Sequence, residues 1–362
     1  MSVTVRSFAK INLGLRIGAV RKDGFHELRT VYQTIALHDV IRVRVERGQG
    51  IDIRCEDPRV PKDESNTCFR VVERAMRSMR SKGRVVLEIE KRLPVQGGLG
   101  GASANAVASL LGLERAMKKA LPATERLRIA AEVGSDLPLF LIGGTVLGVG
   151  RGEQVYPLED LPSMACVVVT PQVGVSTPKA FAAWDGLCRA SALEGFDEHM
   201  LSSPSQHPAE LGSAGPARAA VPAQAKAATS AASKLTVPHV SDRMNELSRG
   251  LSAWLSEPYS GAPSGRGRPE NYLLELVRAG IENDFERVVF PDYPELSDGK
   301  RALLRAGANY ASLSGSGSTL YGLFASRKAA LQATVRLRKQ GWAVQSTATL
   351  PRRAYWSRIF DC

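Results

Sequence analysis

The chain is 362 residues long, 44% hydrophobic and 23% charged, with a formal net charge of +12. That length allows a large core and two domains of ordinary size, and the balance is that of a globular chain rather than a disordered one. No apolar run is long enough to span a bilayer and the first residues lack a signal peptide's apolar core, so a cytoplasmic location is expected. Five cysteines without CxxC spacing predict reduced thiols, and five histidines without HxxxH spacing predict no protein-built metal site. The basic residues are spread along the chain, which suits a nucleic-acid binder or an enzyme of polyanionic substrates alike.

The first 60 residues read as strands. TVRSFAKINLGLRIG alternates apolar and polar positions, KDGFH supplies a turn, and VIRVRVERG alternates again. Lys10 stands between Ala9 and Ile11 and shares a face with Phe8 and Asn12. It is either an edge lysine reaching solvent or a partly buried ammonium paired with phosphate or carboxylate. His26 is either a plain turn residue or, beside Phe25, an imidazole placed to stack on and hydrogen-bond a heterocyclic base.

Residues 65–81 open on a Ser/Asn/Thr cap and carry Phe69, Val72, Ala75, Met76 and Met79 at helical spacing. GRVVLEIEKRLP is a strand ending at Pro94. Next, PVQGGLGGASANAVASLLGLE sets a glycine-rich loop directly before a helix. Glycine loses more freedom on folding than any other residue, so the loop is either a tight connection or a bare backbone meant to approach an anion. It is not a Walker A loop, because Gly101 is followed by Ala102, Ser103 and Ala104 rather than a Lys-Ser/Thr pair.

A helix over ATERLRIAAEVGSD leads to Asp136, which precedes the apolar run LPLFLIGG. This aspartate is either a helix cap or a carboxylate at the mouth of a buried element, able to accept a hydroxyl proton. The character changes near residue 160, which divides the chain into domains 1–160 and 161–362. Residues 201–236, poor in large aliphatics, are expected to be a disordered insertion, and EPYSGAPSGRGRPENY another loop. The C-terminal part reads helix, strand, glycine turn, strand, helix, strand, an α+β pattern. Its turn, SLSGSGST at 312–319, is either a simple reversal or a second backbone cradle facing the first.

Taken together, AKINLGLRIGAVRKDGFHELRTVYQTIAL, PVQGGLGGASANA, GSDLPLFLIGGTVLGVGRGE and SLSGSGSTLYGLF resemble the signatures of the GHMP family of small-molecule kinases. The resemblance runs from the start to about residue 182 and resumes from about 272 to 325. Its KDGFHEL stretch is similar to the branch of the family whose acceptor carries a cytidine diphosphate. The resemblance implies an α+β, two-domain GHMP kinase fold. Its N-terminal domain would be ribosomal-protein-S5-domain-2-like and its C-terminal domain ferredoxin-like.

The resemblance further implies ATP as co-substrate, with Mg²⁺ arriving on ATP near Ser103. The acceptor would be a small molecule, a cytidine diphosphate-linked methylerythritol phosphorylated on its 2-hydroxyl. No nucleic-acid or membrane partner is implied, and the protein would be a monomer or homodimer. By position, Lys10 and Asp136 would be catalytic. The ATP loop would comprise Pro94, Val95, Gln96, Gly97, Gly98, Leu99, Gly100, Gly101, Ala102, Ser103 and Ala104. The acceptor pocket would take Asn12, Phe25, His26, Thr177, Phe181, Gly315 and Gly317.

This chain departs from the family pattern in places. Phe25 stands where tyrosine is usual, and Gln96, Ala102 and Ala104 replace two glycines and a serine. Alanine at 102 requires a negative φ. The competing readings are a kinase of homoserine, mevalonate or a sugar, and a non-enzymatic relative that regulates or binds RNA. KDGFHEL argues against the first, and the retained Lys10 and Asp136 against the second.

Overall fold

The structure, a computed structural model, describes residues 2–95, 97–201 and 281–360. Gln96, residues 202–236 of the expected insertion and the loop at 257–272 lie outside the described residues. Among the described residues no helix is long and apolar enough to cross a membrane.

The alternating N-terminal segments form a long antiparallel hairpin of β1 (Ser2–Val20) and β2 (His26–Glu46). Around it, β3 (Gly50–Cys55), β4 (Arg84–Glu90), β5 (Thr145–Gly150) and β6 (Gln154–Pro157) complete a sheet ordered β3-β4-β2-β5-β6, with β1 paired to β2. Helices α1 (Thr67–Ser78), α2 (Gly101–Met117), α3 (Ala123–Val133) and the short α4 (Leu137–Phe140) pack on this sheet. As expected of its Ser/Asn/Thr start, α1 is capped by Asn66, whose side chain accepts the Cys68 N–H at 2.8 Å. The α2 helix is buried from Ala104 to Glu114, which explains why its sequence shows no polar stripe.

The second sheet runs β10-β7-β9-β8, all antiparallel: β7 (Ala165–Val169), β8 (Tyr310–Leu313), β9 (Leu320–Phe324) and β10 (Val344–Ala348). Helices α5 (Thr177–Leu201), α6 (Glu286–Asp292), α7 (Pro294–Arg305) and α8 (Arg327–Lys339) accompany it.

One strand ties the layers together. Phe8 of β1 packs in the first core, Ala9, Ile11 and Leu13 pack with Cys166, Val168 and Tyr321, and Leu15 and Ile17 join Val167 and Phe285. A further helix, α9 (Arg352–Arg358), follows the last strand and was not expected from the sequence. It returns the chain to the first sheet: Leu350 N–H donates to the Thr34 carbonyl at 2.7 Å, and the Tyr355 hydroxyl to the Phe140 carbonyl at 2.7 Å.

Asp39 fixes where the glycine loop begins. Its fully buried carboxylate accepts from Lys91 Nζ at 2.6 Å, Asn105 Nδ2 at 2.9 Å, and the N–H groups of Arg92 and Leu93, both at 2.7 Å. The end of β4 is thereby clamped to α2. Asp39→Ala strands the largely buried Lys91 ammonium, and should lower the unfolding free energy in urea by about 3 kcal/mol. A loss below about 1 kcal/mol would contradict the clamp.

Candidate active site

Between the two sheets lies a cleft of about 980 Å³, lined by both glycine loops, Lys10, His26 and Asp136. Its shape depends on how the loops meet. Gly98 and Gly100 hold φ values of +82° and +68°, in the left-handed region that favours glycine. A Cβ on Gly98 would lie 2.2 Å from the Ser314 carbonyl oxygen, and one on Gly317 would lie 2.5 Å from the Gly98 nitrogen. Thr319 N–H donates to the Gly97 carbonyl at 3.1 Å, and the Ser314 hydroxyl donates to the Gly98 carbonyl at 3.0 Å. The loops therefore touch backbone to backbone, the second facing the first.

The loop ends as the N-terminus of α2. Gly100 is its cap, without a side-chain hydrogen bond, and the first helical bond runs from Ala104 N–H to the Gly100 carbonyl at 2.8 Å. The N–H groups of Gly101, Ala102 and Ser103 thus precede the helical ladder, and with the helix dipole they suit an anion. Among the described residues the only non-glycine positions with positive φ are Arg80 and Lys118, so Ala102 meets its condition. Ala104 is buried behind the cleft, so the hydroxyl missing there is absent from the core side rather than from the lining. Lys91, which the sequence reading passed over, lines the cleft with Nζ only 3.3 Å from where a Gly101 Cβ would stand.

Lys10 is no solvent lysine: it is 3% exposed. Its Nζ donates to Asn12 Oδ1 at 2.7 Å and sits 3.3 Å from Asp136 Oδ2. Asn12 is oriented in turn, since its Nδ2 donates to Thr30 Oγ1 at 2.7 Å and that hydroxyl donates to the Gly14 carbonyl at 2.8 Å. Asp136 opens α4 but makes no capping hydrogen bond, and its side chain is 32% exposed. The carboxylate is therefore left for the cleft.

Tyr32, another residue the sequence reading missed, donates its hydroxyl to Asp136 Oδ1 at 3.0 Å. Burial, reinforced by the Asp136 charge, raises its phenol well above the ordinary tyrosine value and keeps it a donor. Glycines make room for it. A Cβ on Gly148 would lie 2.5 Å from the Tyr32 ring, and one on Gly152 would lie 2.5 Å from its hydroxyl. The available signal was the tyrosine in the quoted RTVYQTIAL stretch, opposite Asn12 in the hairpin register.

At the other end of the cleft, His26 stacks on Phe181, with centroids 4.8 Å apart and planes at 15°. Phe181 meets Phe285 edge-on at 4.9 Å. Phe25 is half exposed at the mouth, with the Arg151 guanidinium 5.0 Å from its ring centre. The hydroxyls of Thr177 and Ser316 lie 2.7 Å apart and bridge α5 to the second loop. Gly315, at φ +62°, approaches Lys10 Nζ and Asn12 Oδ1. Of the described residues singled out from sequence, Ala104 and Gly317 stand behind the lining and the others face the cleft.

Residues 66–144 match the family described as GHMP kinases N terminal domain, and residues 271–341 match GHMP kinases C terminal. A 4-diphosphocytidyl-2-C-methyl-D-erythritol kinase of Solibacter usitatus is 32% identical, with 99% of this chain and 92% of its own length covered. The enzyme of that name from Synechococcus elongatus is 31% identical over 93% of this chain and 91% of its own. Among solved structures, a 4-(cytidine 5'-diphospho)-2C-methyl-D-erythritol kinase is similar with a TM-score of 0.62 at 23% identity, covering 96% of this chain and 98% of its own. The homoserine kinase of Cytophaga hutchinsonii reaches a TM-score of 0.61 at 20% identity, covering 97% and 95%. At such identities the two structures bear on fold alone, and both carry the same α+β arrangement.

The loop contact makes a stability test. Gly98→Ala forces a left-handed alanine as well as a clash, and should cost more than about 2 kcal/mol in urea unfolding. Gly101→Ala, where no positive φ is needed, should cost less than about 1 kcal/mol. Equal losses would contradict the backbone-to-backbone packing.

Proposed function

The chain belongs to the 4-diphosphocytidyl-2-C-methyl-D-erythritol kinase family of GHMP kinases, and from that premise we propose how its cleft works. The reaction is transfer of the γ-phosphate of ATP to the 2-hydroxyl of 4-diphosphocytidyl-2-C-methyl-D-erythritol, giving ADP and the 2-phosphate. One observation carries the reading: a single cleft holds a glycine loop at a helix N-terminus, the ion pair of buried Lys10 with Asp136, and the His26–Phe181 stack.

Each part answers a need of phosphoryl transfer. The backbone of 97–103 and the α2 N-terminus receive the phosphates, with Lys91 beside Gly101 adding positive charge. Ser103 and the exposed side of Asp136 offer hard oxygens that suit Mg²⁺, which when bound on the nucleotide would neutralise phosphate charge. Asp136 takes the proton of the acceptor hydroxyl. Tyr32 occupies its Oδ1, which leaves Oδ2, on the Lys10 side, for that proton. Lys10 orients the carboxylate and offsets the charge that develops, and Asn12 holds the ammonium in place.

The base of the acceptor lies against the aromatic end formed by Phe181, Phe25 and His26. Thr177, Ser316 and Gly315 line the same cleft and flank the remainder of the acceptor. A cytoplasmic location would suit an ATP-dependent reaction.

The test is ADP formation by the full chain with Mg-ATP and one of four acceptors: the cytidyl compound, homoserine, mevalonate or galactose. Turnover is expected with the cytidyl acceptor alone. Turnover with another acceptor and not with the cytidyl one would overturn the proposal.

A further inference from the structure

The His26 imidazole is held by α5 in two ways. Its face lies on Phe181, and its Nε2 is 2.8 Å from Oδ1 of Asp185, four residues further along the same helix. Phe181 and Asp185 therefore share one helical face. Phe181 closes the family-like stretch that ends at about residue 182, whereas Asp185, in AFAAWDGL, lies beyond it. Nothing in the transfer reaction uses this carboxylate.

Its consequence is a choice of tautomer. An ionised carboxylate only accepts, so the proton of a neutral His26 ring is on Nε2. Nδ1 then keeps its lone pair and is itself only an acceptor.

We propose that Asp185 is a positioning residue that makes the cleft select cytosine over uracil. By fixing the Nε2–H tautomer, it has His26 present an acceptor to the exocyclic amine of the base. The inference rests on the cytidine nucleotide reading of the acceptor. Cytosine carries an amino donor at C4, where uracil carries a carbonyl. With the base stacked at the aromatic end and its diphosphate drawn toward the reacting end, uracil would set that carbonyl against the Nδ1 lone pair. Two buried acceptors would then face each other unsatisfied. With the opposite tautomer the ring would donate, and the preference would reverse. Asp185 acts through His26 and need not touch the base.

The experiment uses the full chain at about pH 8. Calorimetric titration with CDP and with UDP reads the preference, and nitrogen-15 NMR of His26 reads the tautomer. The wild type should bind CDP at least about 10-fold more tightly than UDP, the loss set by one unmade hydrogen bond. Its His26 should carry the proton on Nε2. In Asp185→Asn the amide can face Nε2 with either its oxygen or its N–H group, so the tautomers should mix and the preference fall to within about 3-fold. Asp185→Glu should restore both readouts.

An undiminished preference in a folded Asp185→Asn variant would overturn the role of Asp185 alone. So would a wild-type His26 protonated on Nδ1, a result that needs no variant. Failure of the wild type to bind either nucleotide would overturn the cytidine reading itself, and this inference with it.

Discussion

The site depends on a contact that leaves no room for a side chain. Gly98 and Gly317 bring two turns from different sheets so close that a single Cβ on either would strike the other backbone. The contact sets the distance between the layers, and with it the depth of the cleft. It also places the N-terminus of α2 opposite the second glycine turn. β1 reinforces the arrangement by contributing side chains to all three hydrophobic clusters, while the Lys10 N–H donates to the Leu99 carbonyl at 2.9 Å. The glycine loop and Lys10 are thus fixed by the same piece of backbone.

Charge is managed differently inside and out. Many of the arginines behind the +12 balance face carboxylates on the surface: Arg42 with Glu90, Arg44 with Glu88, Arg128 with Glu125. Such exposed pairs contribute little stability. More informative are two of the buried charges, Lys10 in the cleft and Asp39 behind it, each surrounded by named hydrogen-bond partners. Buried charge tolerated at this cost points to positioning rather than stability. The Cys68 thiol sits at the other extreme, pushed up to about 12 by burial and a poor nucleophile.

Much of this was legible in the residues. Alternation marked the β1–β2 hairpin, and the Asn66 cap marked α1. The glycine loop before α2 was visible as a loop, while its residues left two readings, a tight connection or a bare backbone meant for an anion. For Lys10 and Asp136 local pattern left two readings each, and only their meeting across 126 residues of chain separates them. Tyr32, Lys91, Asp39 and Asp185 were illegible for a common reason. Each acts through a partner distant in sequence, and strand or helix spacing does not reveal which partner that is. The α9 helix escaped because its basic surface masks the buried Tyr355 that anchors it.

In the proposed reaction Asp136, held between Tyr32 and Lys10, handles the acceptor's proton rather than binding substrate. The most direct measurement is single-turnover phosphoryl transfer in Asp136→Asn, with Mg-ATP and the cytidyl acceptor both saturating. The carboxamide keeps the size and most contacts of the carboxylate but cannot take the proton. Transfer should slow by roughly 10²-fold or more, with both substrates still bound. Transfer within about 3-fold of wild type would mean that the proton leaves by another route and that the geometry at Asp136 serves only to orient.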